Sequence, residues 1–305
     1  EVEETQVSTE EKQVQDEKES LLIALNYAAK FYQTQLTETE DGKAIGLSYF
    51  KERGFLDDTI QTFQLGYSPD SFDTFYNQAI KDGYNEEILL KAGLIKEKNG
   101  KHYDFFRDRV MFPIFNVSGK VVAFGGRMLK SAKSDNPNVY NPKYINTAET
   151  DVYHKSQVLY GISHAKAEIR KHDVCYLVEG YTDVISLYQA GIKNVVASSG
   201  TALTKEQVQL IKRFTQNMVI LYDGDAAGIK AALRGLDIVL EQGLNVKLVL
   251  LPDSEDPDSF VKKNGRVTVR EMPSLPAGIL NGIKFSTDTV NLTTGDMIVM
   301  VSDGV

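Results

Sequence analysis

The segment YDGDAAG places Asp223 and Asp225 one residue apart, directly after the apolar run NMVIL. Two carboxylates at that spacing repel each other unless a cation or a hydrogen-bond donor lies between them. Acidic residues also follow other apolar runs, as Glu179 in VEGYTD and as Asp253, Asp256 and Asp258 in LPDSEDPD. Carboxylates that converge in a partly buried place need hard cations, and magnesium held by oxygen ligands and phosphates suits them best.

The elements that must position these acids are clearest after residue 172, where short apolar runs alternate with helical patterns. The predicted strands are VCYLV (174–178), NVVAS (194–198), MVILY (218–222) and VKLVLL (246–251). The predicted helices cover residues 182–190, 204–214, 226–242 and 257–264. This alternation predicts an α/β fold, a parallel sheet with helices on both faces. Ligands of such sheets bind beyond the carboxyl ends of the strands, which is where the acidic residues occur.

Each acidic motif also has a simpler interpretation. A lone DGD is often a turn, and DPD suits an aspartate cap with Pro257 at the first helical position. Acidic residues recur at the ends of several predicted strands, and this recurrence favours a ligand site over a set of unrelated turns. A calcium loop starting at Asp223 would need an oxygen ligand and a glutamate where the chain has Ala227 and Arg234. A phosphatase with an aspartyl nucleophile would need Thr or Val at Ala227, so both of these rival motifs are excluded.

Composition narrows the class of protein only slightly. The chain has 305 residues, 42% of them hydrophobic, and a net charge of −8. It contains no apolar run of the roughly 18 residues that a membrane helix needs, and its N-terminus is acidic, so we expect a cytoplasmic protein without a membrane partner. Cys175 is the single cysteine, which excludes an internal disulfide and a zinc site built on several thiolates.

Charge is unevenly distributed along the chain. Residues 1–20 hold eight acidic and two basic side chains, which predicts a solvated tail or linker. Residues 101–171 hold twelve basic against six acidic side chains, and residues 172–265 hold nine against twelve. A basic segment next to an acidic one is typical of a polyanion track beside a metal pocket, although ordinary variation in surface charge gives the same pattern.

Four motifs together carry a resemblance to a known family. EGYTD, SSGTALT, YDGDAAG and LPDSEDPD occur in the order, and at the strand ends, of the Toprim domain of bacterial DnaG-type primases. Upstream, YFKERGF, FRDRVMFPIFNVSGKVVAFGGR, NPKYINTAET and VYHKSQVLYG resemble the amino-terminal half of the primase catalytic core. The resemblance covers roughly residues 21–265. It implies a mixed α/β basic subdomain over residues 21–165, followed by a Toprim domain over residues 166–265.

The resemblance also implies roles for individual residues. Glu179, Asp223 and Asp225 would be catalytic, and together with Asp256 and Asp258 they would hold two Mg²⁺ ions, for which Mn²⁺ can substitute. Glu179 would act either as a ligand or as a general acid or base. We expect a supporting role for Asp183, which would share a helix face with Glu179 if the helix begins at once. The basic residues expected to bind template and nucleotide are Arg53, Arg107, Arg109, Arg127, Lys143 and Lys155. Tyr49, Tyr103, Tyr140 and Tyr144 could stack on bases, but packing is the favoured interpretation.

The implied activity is synthesis of short RNA primers on single-stranded DNA from ribonucleoside triphosphates. Another Toprim protein, a DNA-cleaving topoisomerase or nuclease or a non-catalytic DNA-binding recombination mediator, is the alternative. Full-length members carry a zinc-binding domain and a domain that binds the replicative helicase, and we expect neither in this chain.

The last segment of the chain departs from the family pattern. Residues 266–305 resemble a fragment of a sporulation-type metal-dependent serine/threonine phosphatase, with Asp303 at a metal-binding position. We interpret the change of pattern after Gly265 as an artificial or mis-assembled join.

Overall fold

The computed structural model describes residues 9–129, 142–200, 202–251 and 255–264. The phosphatase-like segment with Asp303, together with Asp253 and Tyr140, therefore lies outside the described residues. The chain divides into two compact units, one ending at Lys155 and the other beginning at Ser156. Within the described ranges, no helix combines the length and the apolar character required to cross a bilayer.

The first unit mixes helices with antiparallel strands. Its helices are α1 (Thr9–Glu38), a π-helical turn (Gly42–Leu47), α2 (Ser48–Glu52), α3 (Asp57–Thr62), α4 (Thr74–Lys81) and α5 (Glu86–Lys91). Its strands are β1 (Gly66–Ser68), β2 (Ile95–Lys98), β3 (Lys101–Asp104), β4 (Arg109–Phe115), β5 (Val121–Met128) and β6 (Tyr144–Asn146). A short 3-10 turn, Lys155–Gln157, follows.

The strands of this unit form one larger sheet and one hairpin. The sheet has the order β1-β4-β5-β6, with every pair antiparallel. The hairpin joins β2 and β3 through Asn99 and Gly100, whose positive φ angles of 53° and 72° suit a tight Asn-Gly turn. On β4 all seven residues are buried, which explains the apolar run VMFPIF.

Helix α1 packs on this sheet through one apolar face. Leu21, Leu25, Ala28 and Tyr32 recur at helical spacing and are fully buried, and the Tyr32 ring contacts the ring of Phe124. The helix begins at Thr9, so residues 9–20 of the predicted tail or linker are helical, and residues 12–20 are mostly exposed. Helix formation there follows from continuation of the buried helix, because one added residue costs far less than a new nucleus.

The second unit is the predicted parallel sheet, and the prediction is confirmed. Its elements are α6 (Ile162–His172), β7 (Cys175–Val178), α7 (Tyr181–Gln189), β8 (Val195–Ala197), α8 (Lys205–Lys212), β9 (Asn217–Tyr222), α9 (Ala226–Glu241), β10 (Asn245–Leu250) and α10 (Pro257–Asn264). The strand order is β10-β9-β7-β8 with every pair parallel, and helices flank the sheet. Thr204 caps α8 as expected, because its side chain accepts a hydrogen bond from the amide of Gln207.

The boundary between the units lies ten residues earlier than the predicted one at residue 165. Tyr160 forms an antiparallel bridge with Ala197 of β8, and Ser156 accepts a hydrogen bond from the Thr204 hydroxyl over 2.6 Å. These contacts fix residues 156–165 to the parallel sheet. A single bridge has no periodic pattern, so the sequence carried no signal for it.

Cys175 begins β7 and has no exposed surface. Burial raises the pKa of its thiol well above the ordinary value. The thiol is therefore protonated and packed in the core, as predicted.

Candidate active site

The acidic residues after β7 and β9 meet at one edge of the parallel sheet. Glu179 follows β7 directly, Asp223 follows β9, and the two strands are hydrogen-bonded neighbours. The backbone amide of Asp223 donates a hydrogen bond to Oε1 of Glu179 over 3.3 Å. The structure thus brings together these two predicted catalytic residues.

Asp225 ends the same loop and caps helix α9. Its Oδ1 accepts a hydrogen bond from the amide of Gly228 over 2.7 Å. Gly228 lies so close to the loop that a Cβ atom there would be 2.3 Å from the carbonyl oxygen of Asp223. The DGDAAG motif therefore needs glycine at this position because the first turn of α9 packs directly on the aspartate loop.

The loop after β10 adjoins the DGD loop. The amide of Gly224 donates to the carbonyl oxygen of Glu255 over 2.9 Å. Next along the chain, Asp256 accepts a hydrogen bond through Oδ1 from the amide of Ser259 over 2.6 Å, which starts α10. This arrangement places Asp256 near enough for its charge to affect Asp223.

Asp258 is more deeply enclosed than the sequence suggested. It is 5% exposed, accepts a hydrogen bond from the hydroxyl of Ser186 and pairs with Lys262 over 2.8 Å. These contacts join α10 to α7. A cation at Asp258 would have to compete with the ammonium group of Lys262.

Asp183 lies at the base of the acidic edge and is 7% exposed. Its Oδ2 accepts a hydrogen bond from the amide of Gly180 over 2.9 Å, at the start of α7. Because α7 begins at Tyr181, Glu179 lies before the helix, and the expectation of a shared helix face is wrong. Asp183 instead organises the turn that follows Glu179.

Burial and mutual repulsion make Glu179, Asp183 and Asp223 hard to ionise. Burial, followed by the charges of Glu179, Asp256 and Asp225, raises the pKa of Asp223 to about 7. Burial and the neighbouring aspartates likewise raise the pKa of Asp183 to about 7. The pKa of Glu179 is also raised, mainly by burial and further by the charge of Asp225. This edge of the sheet therefore has a strong need for positive charge.

The donor set fits hard cations. Among the residues that the structure describes, Oδ1 of Asp223 is buried and has no hydrogen-bond partner. In the same ranges, no three His, Cys, Asp or Glu side chains are arranged to hold one ion. Magnesium does not need such a cage, since proteins usually hold it through one or two carboxylates while water and substrate phosphates complete its shell.

The predicted basic residues belong to the first unit, where two of them share an aromatic ring. The guanidinium carbons of Arg53 and Arg127 lie 5.4 Å and 4.7 Å from the ring centroid of Tyr49. The remaining side chains are distributed over other positions of the unit. Arg107 stacks 4.0 Å from the Phe72 ring, Lys143 is exposed beside Tyr144, and Lys155 is half-buried after β6.

Arg109 occupies a different environment from the predicted one. It is 3% exposed, and its Nη1 lies within hydrogen-bond distance of the carbonyl oxygens of Gly126, Pro142 and Lys143, at 3.4, 3.0 and 3.2 Å. A guanidinium that donates to backbone inside the unit holds β5 and the NPKY segment together. We therefore assign Arg109 to positioning the segment that carries Lys143, in place of the direct ligand contact expected from the sequence.

Sequence reasoning did not single out Ser186, Gly228 or Lys262, and it favoured packing over a functional role for Tyr49. Two of them had a usable signal, because Tyr49 precedes Arg53 by four residues and Lys262 follows Asp258 by four, which places each pair on one helix face. Ser186 had none, since its partner is distant in the chain.

Comparison with known protein families covers both units. Residues 31–166 match the family described as DNA primase catalytic core, N-terminal domain, and residues 176–261 match the Toprim-like family. A DNA primase of Clostridium acetobutylicum is 40% identical over 285 residues, and one of Halalkalibacterium halodurans is 42% identical over 254 residues. These matches cover 93% and 82% of this chain but only 46% and 41% of the relatives, so the chain spans about half of their length.

Solved structures give the same result. The RNA polymerase domain of Mycobacterium tuberculosis primase DnaG is 34% identical, with a TM-score of 0.74 over 80% of this chain and 79% of that one. A DnaG primase catalytic domain bound to single-stranded DNA is 36% identical, with a TM-score of 0.73 over 82% of this chain and 76% of that one. The predicted resemblance is confirmed, and the chain belongs to the DnaG-type primase catalytic core family.

Proposed function

We propose that this chain is a primase catalytic core, a nucleotidyltransferase that synthesises short RNA primers on single-stranded DNA. The observation that carries the proposal is the partly buried acidic edge of the parallel sheet, where the amide of Asp223 donates to Glu179 and Oδ1 of Asp223 is buried without a hydrogen-bond partner among the described residues. A phosphoryl-transfer site needs closely spaced, partly buried carboxylates of this kind, because they bind cations strongly once they are deprotonated.

The proposed cofactor is Mg²⁺, with Mn²⁺ as a substitute. When bound, the ions would neutralise the triphosphate and favour ionisation of the attacking 3′ hydroxyl. Asp223, Asp225 and Asp256 would supply oxygen ligands, while Asp258 would join them if Lys262 moves away. The raised pKa of Glu179 supports a role in proton transfer as well as in ligation.

The proposed substrates are a single-stranded DNA template and ribonucleoside triphosphates. Arg53, Arg107, Arg127, Lys143 and Lys155 would neutralise their phosphates, and arginine offers a forked donor for phosphate oxygens. For the whole protein, the proposal includes the replicative helicase as a partner and a cytoplasmic location.

Incorporation of labelled ribonucleotides on a single-stranded DNA template, in the presence of Mg²⁺, tests the proposal. Asp225→Asn is the sharpest variant, because asparagine also caps helices and so preserves the start of α9 while removing one charge. We expect short RNA from the parent protein and none from the variant. Template binding, measured by fluorescence anisotropy, should be unchanged or tighter in the variant.

Two results would overturn the proposal. Equal RNA synthesis by Asp225→Asn would show that the acidic edge is not the reaction centre. Template binding by both proteins without any RNA product, in either metal, would indicate a DNA-binding scaffold instead.

A further inference from the structure

Tyr49 occupies a firmly packed position in the first unit. It lies in α2, four residues before Arg53, which caps the carboxyl end of that helix. Its ring packs edge-on against Phe50 at 5.4 Å, and Phe50 is fully buried and contacts Phe112 of β4. The hydroxyl of Tyr49 is buried and has no hydrogen-bond partner within the described ranges. The ring orientation is therefore set by packing, and the hydroxyl adds no contact in this part of the structure.

Two cationic side chains lie over the ring of Tyr49. Arg127 extends from β5, and its guanidinium carbon lies 4.7 Å from the Tyr49 centroid; Arg53 lies 5.4 Å from the same centroid. Tyr144, the cross-strand partner of Arg127, adds a second ring at 5.6 Å. Like charges repel, but the negative face of an aromatic ring attracts both guanidinium groups. Tyr49 thus offsets the repulsion that would move these arginines apart.

Arg127 also has unused hydrogen-bonding capacity. Its Nε and Nη1 atoms are buried and have no acceptor among the described residues. Burying a charged donor without an acceptor is unfavourable, unless a bound ligand supplies the acceptor. A phosphate group suits these two donors, because its oxygens accept charge-assisted hydrogen bonds from a guanidinium group.

We infer that Tyr49 is a positioning residue that holds Arg53 and Arg127 together as a binding site for one phosphate group of the substrate. The inference rests on the proposed primase function for the identity of the substrate. The phosphate belongs either to a ribonucleoside triphosphate or to the template backbone, and both sources present the same chemistry to the arginines. The aromatic ring carries the effect, so phenylalanine should replace tyrosine without loss.

The test compares Tyr49→Leu and Tyr49→Phe in the full chain. We measure KM and kcat for ATP in RNA synthesis, the Kd for ATP by calorimetry and the Kd for a single-stranded DNA template. Tyr49→Leu should weaken one of these ligands about tenfold, with kcat changed less than twofold, and Tyr49→Phe should match the parent protein. A change in the ATP constants identifies the triphosphate as the source of the phosphate, and a change in the template Kd identifies the DNA backbone.

Tyr84→Leu is the matched control, because Tyr84 is another half-buried tyrosine of this unit and packs against the Tyr27 ring at 4.2 Å. It should lower Tm about as much as Tyr49→Leu without changing the three binding constants. In the Arg127→Met background, Tyr49→Leu should add less than a twofold further loss, because the ring acts through the arginine.

Unchanged ATP and template binding in Tyr49→Leu, alongside normal RNA synthesis, would overturn the inference and leave the proposed function intact. Absence of RNA synthesis in the parent protein, with ATP or template binding that still depends on Tyr49, would overturn the proposed function alone. Equal losses in the leucine and phenylalanine variants would also overturn the inference, because they would assign the effect to the hydroxyl.

Discussion

Glu179 and Asp223 affect each other in opposite senses. The amide of Asp223 donates to Oε1 of Glu179 over 3.3 Å and so favours the ionised glutamate, while the glutamate charge raises the pKa of Asp223. A proton at the acidic edge is therefore retained near neutral pH when no cation is bound. Cation binding must displace this proton, so the edge exchanges a proton for a metal ion.

The first prediction concerns the pH dependence of stability in the metal-free protein. Asp183 has a folded-state pKa of about 7, well above the roughly 3.9 of an unfolded aspartate, so its contribution to stability is fully present below pH about 4 and is lost as pH rises toward 7. In EDTA, the free energy of unfolding of Asp183→Asn should therefore exceed that of the parent protein by about 1 to 3 kcal/mol at pH 8 and equal it at pH 4. Urea unfolding at both pH values measures this difference.

Asp237→Asn, an exposed change on α9, is the control and should follow the parent profile at both pH values. Parallel pH profiles for the parent protein and Asp183→Asn would contradict the assigned role of burial.

The second prediction concerns the glycines of α9. Gly228→Ala places a Cβ atom 2.3 Å from the Asp223 carbonyl oxygen, so the helix must move away from the aspartate loop. We expect a loss of about 1 to 3 kcal/mol in stability and loss of RNA synthesis. Gly235→Ala in the same helix meets its nearest atom at 3.4 Å and should be stabilising by about 0.5 to 1 kcal/mol. Thermal unfolding of both variants checks the pair, and similar Tm values would show that the loop tolerates the displacement.

The third prediction separates two neighbouring arginines of the FRDR motif. Arg109→Lys should cost about 2 kcal/mol, because the lysine side chain is one bond shorter and its ammonium group cannot occupy the position of Nη1 between the carbonyls of β5 and residues 142–143. Arg107→Lys should leave the free energy of unfolding nearly unchanged and weaken template binding, since Arg107 stacks beside the exposed Phe72. Chemical denaturation and DNA anisotropy measure the two effects. If Arg109→Lys lost only template affinity, the positioning role assigned to Arg109 would be wrong.

The fourth prediction asks whether Asp258 binds a cation. Lys262 pairs with Asp258 over 2.8 Å, so Lys262→Gln removes a competitor of the metal. The Mg²⁺ concentration that gives half-maximal synthesis should fall by about twofold to fivefold, the range expected for loss of a partly exposed ion pair. Lys263→Gln, which breaks the pair with Glu255, serves as the control and should leave the Mg²⁺ requirement unchanged. An unchanged requirement in Lys262→Gln would remove Asp258 from the ligand set.

Local patterns predicted the parallel sheet well. Strands β7 to β10 and helices α7 to α10 lie close to the predicted ranges, because each strand is a short apolar run and each helix has its own start or stop signal, such as Thr204 and Gly243. The carboxyl-end rule then placed Glu179 and Asp223 at one edge without any knowledge of distances.

Long-range contacts account for what the sequence could not predict. The burial of Arg109 depends on carbonyl oxygens of residues 142 and 143, more than thirty positions away, and the enclosure of Asp258 depends on Ser186. Arg109 and Asp258 are both charged, and in the sequence their type and spacing resemble those of surface residues. Only the three-dimensional arrangement shows that partners inside the fold take up their hydrogen bonds.

The burial of Cys175 has a practical consequence for labelling. This cysteine is the only one in the chain, has no exposed surface and lies in β7, the strand that leads to Glu179. A maleimide dye should therefore attach to an engineered surface cysteine and spare Cys175 as long as the sheet stays closed. Slow modification of Cys175 in the parent protein would then measure how often β7 separates from its neighbours, and magnesium should lengthen that interval if the ions bind where we propose.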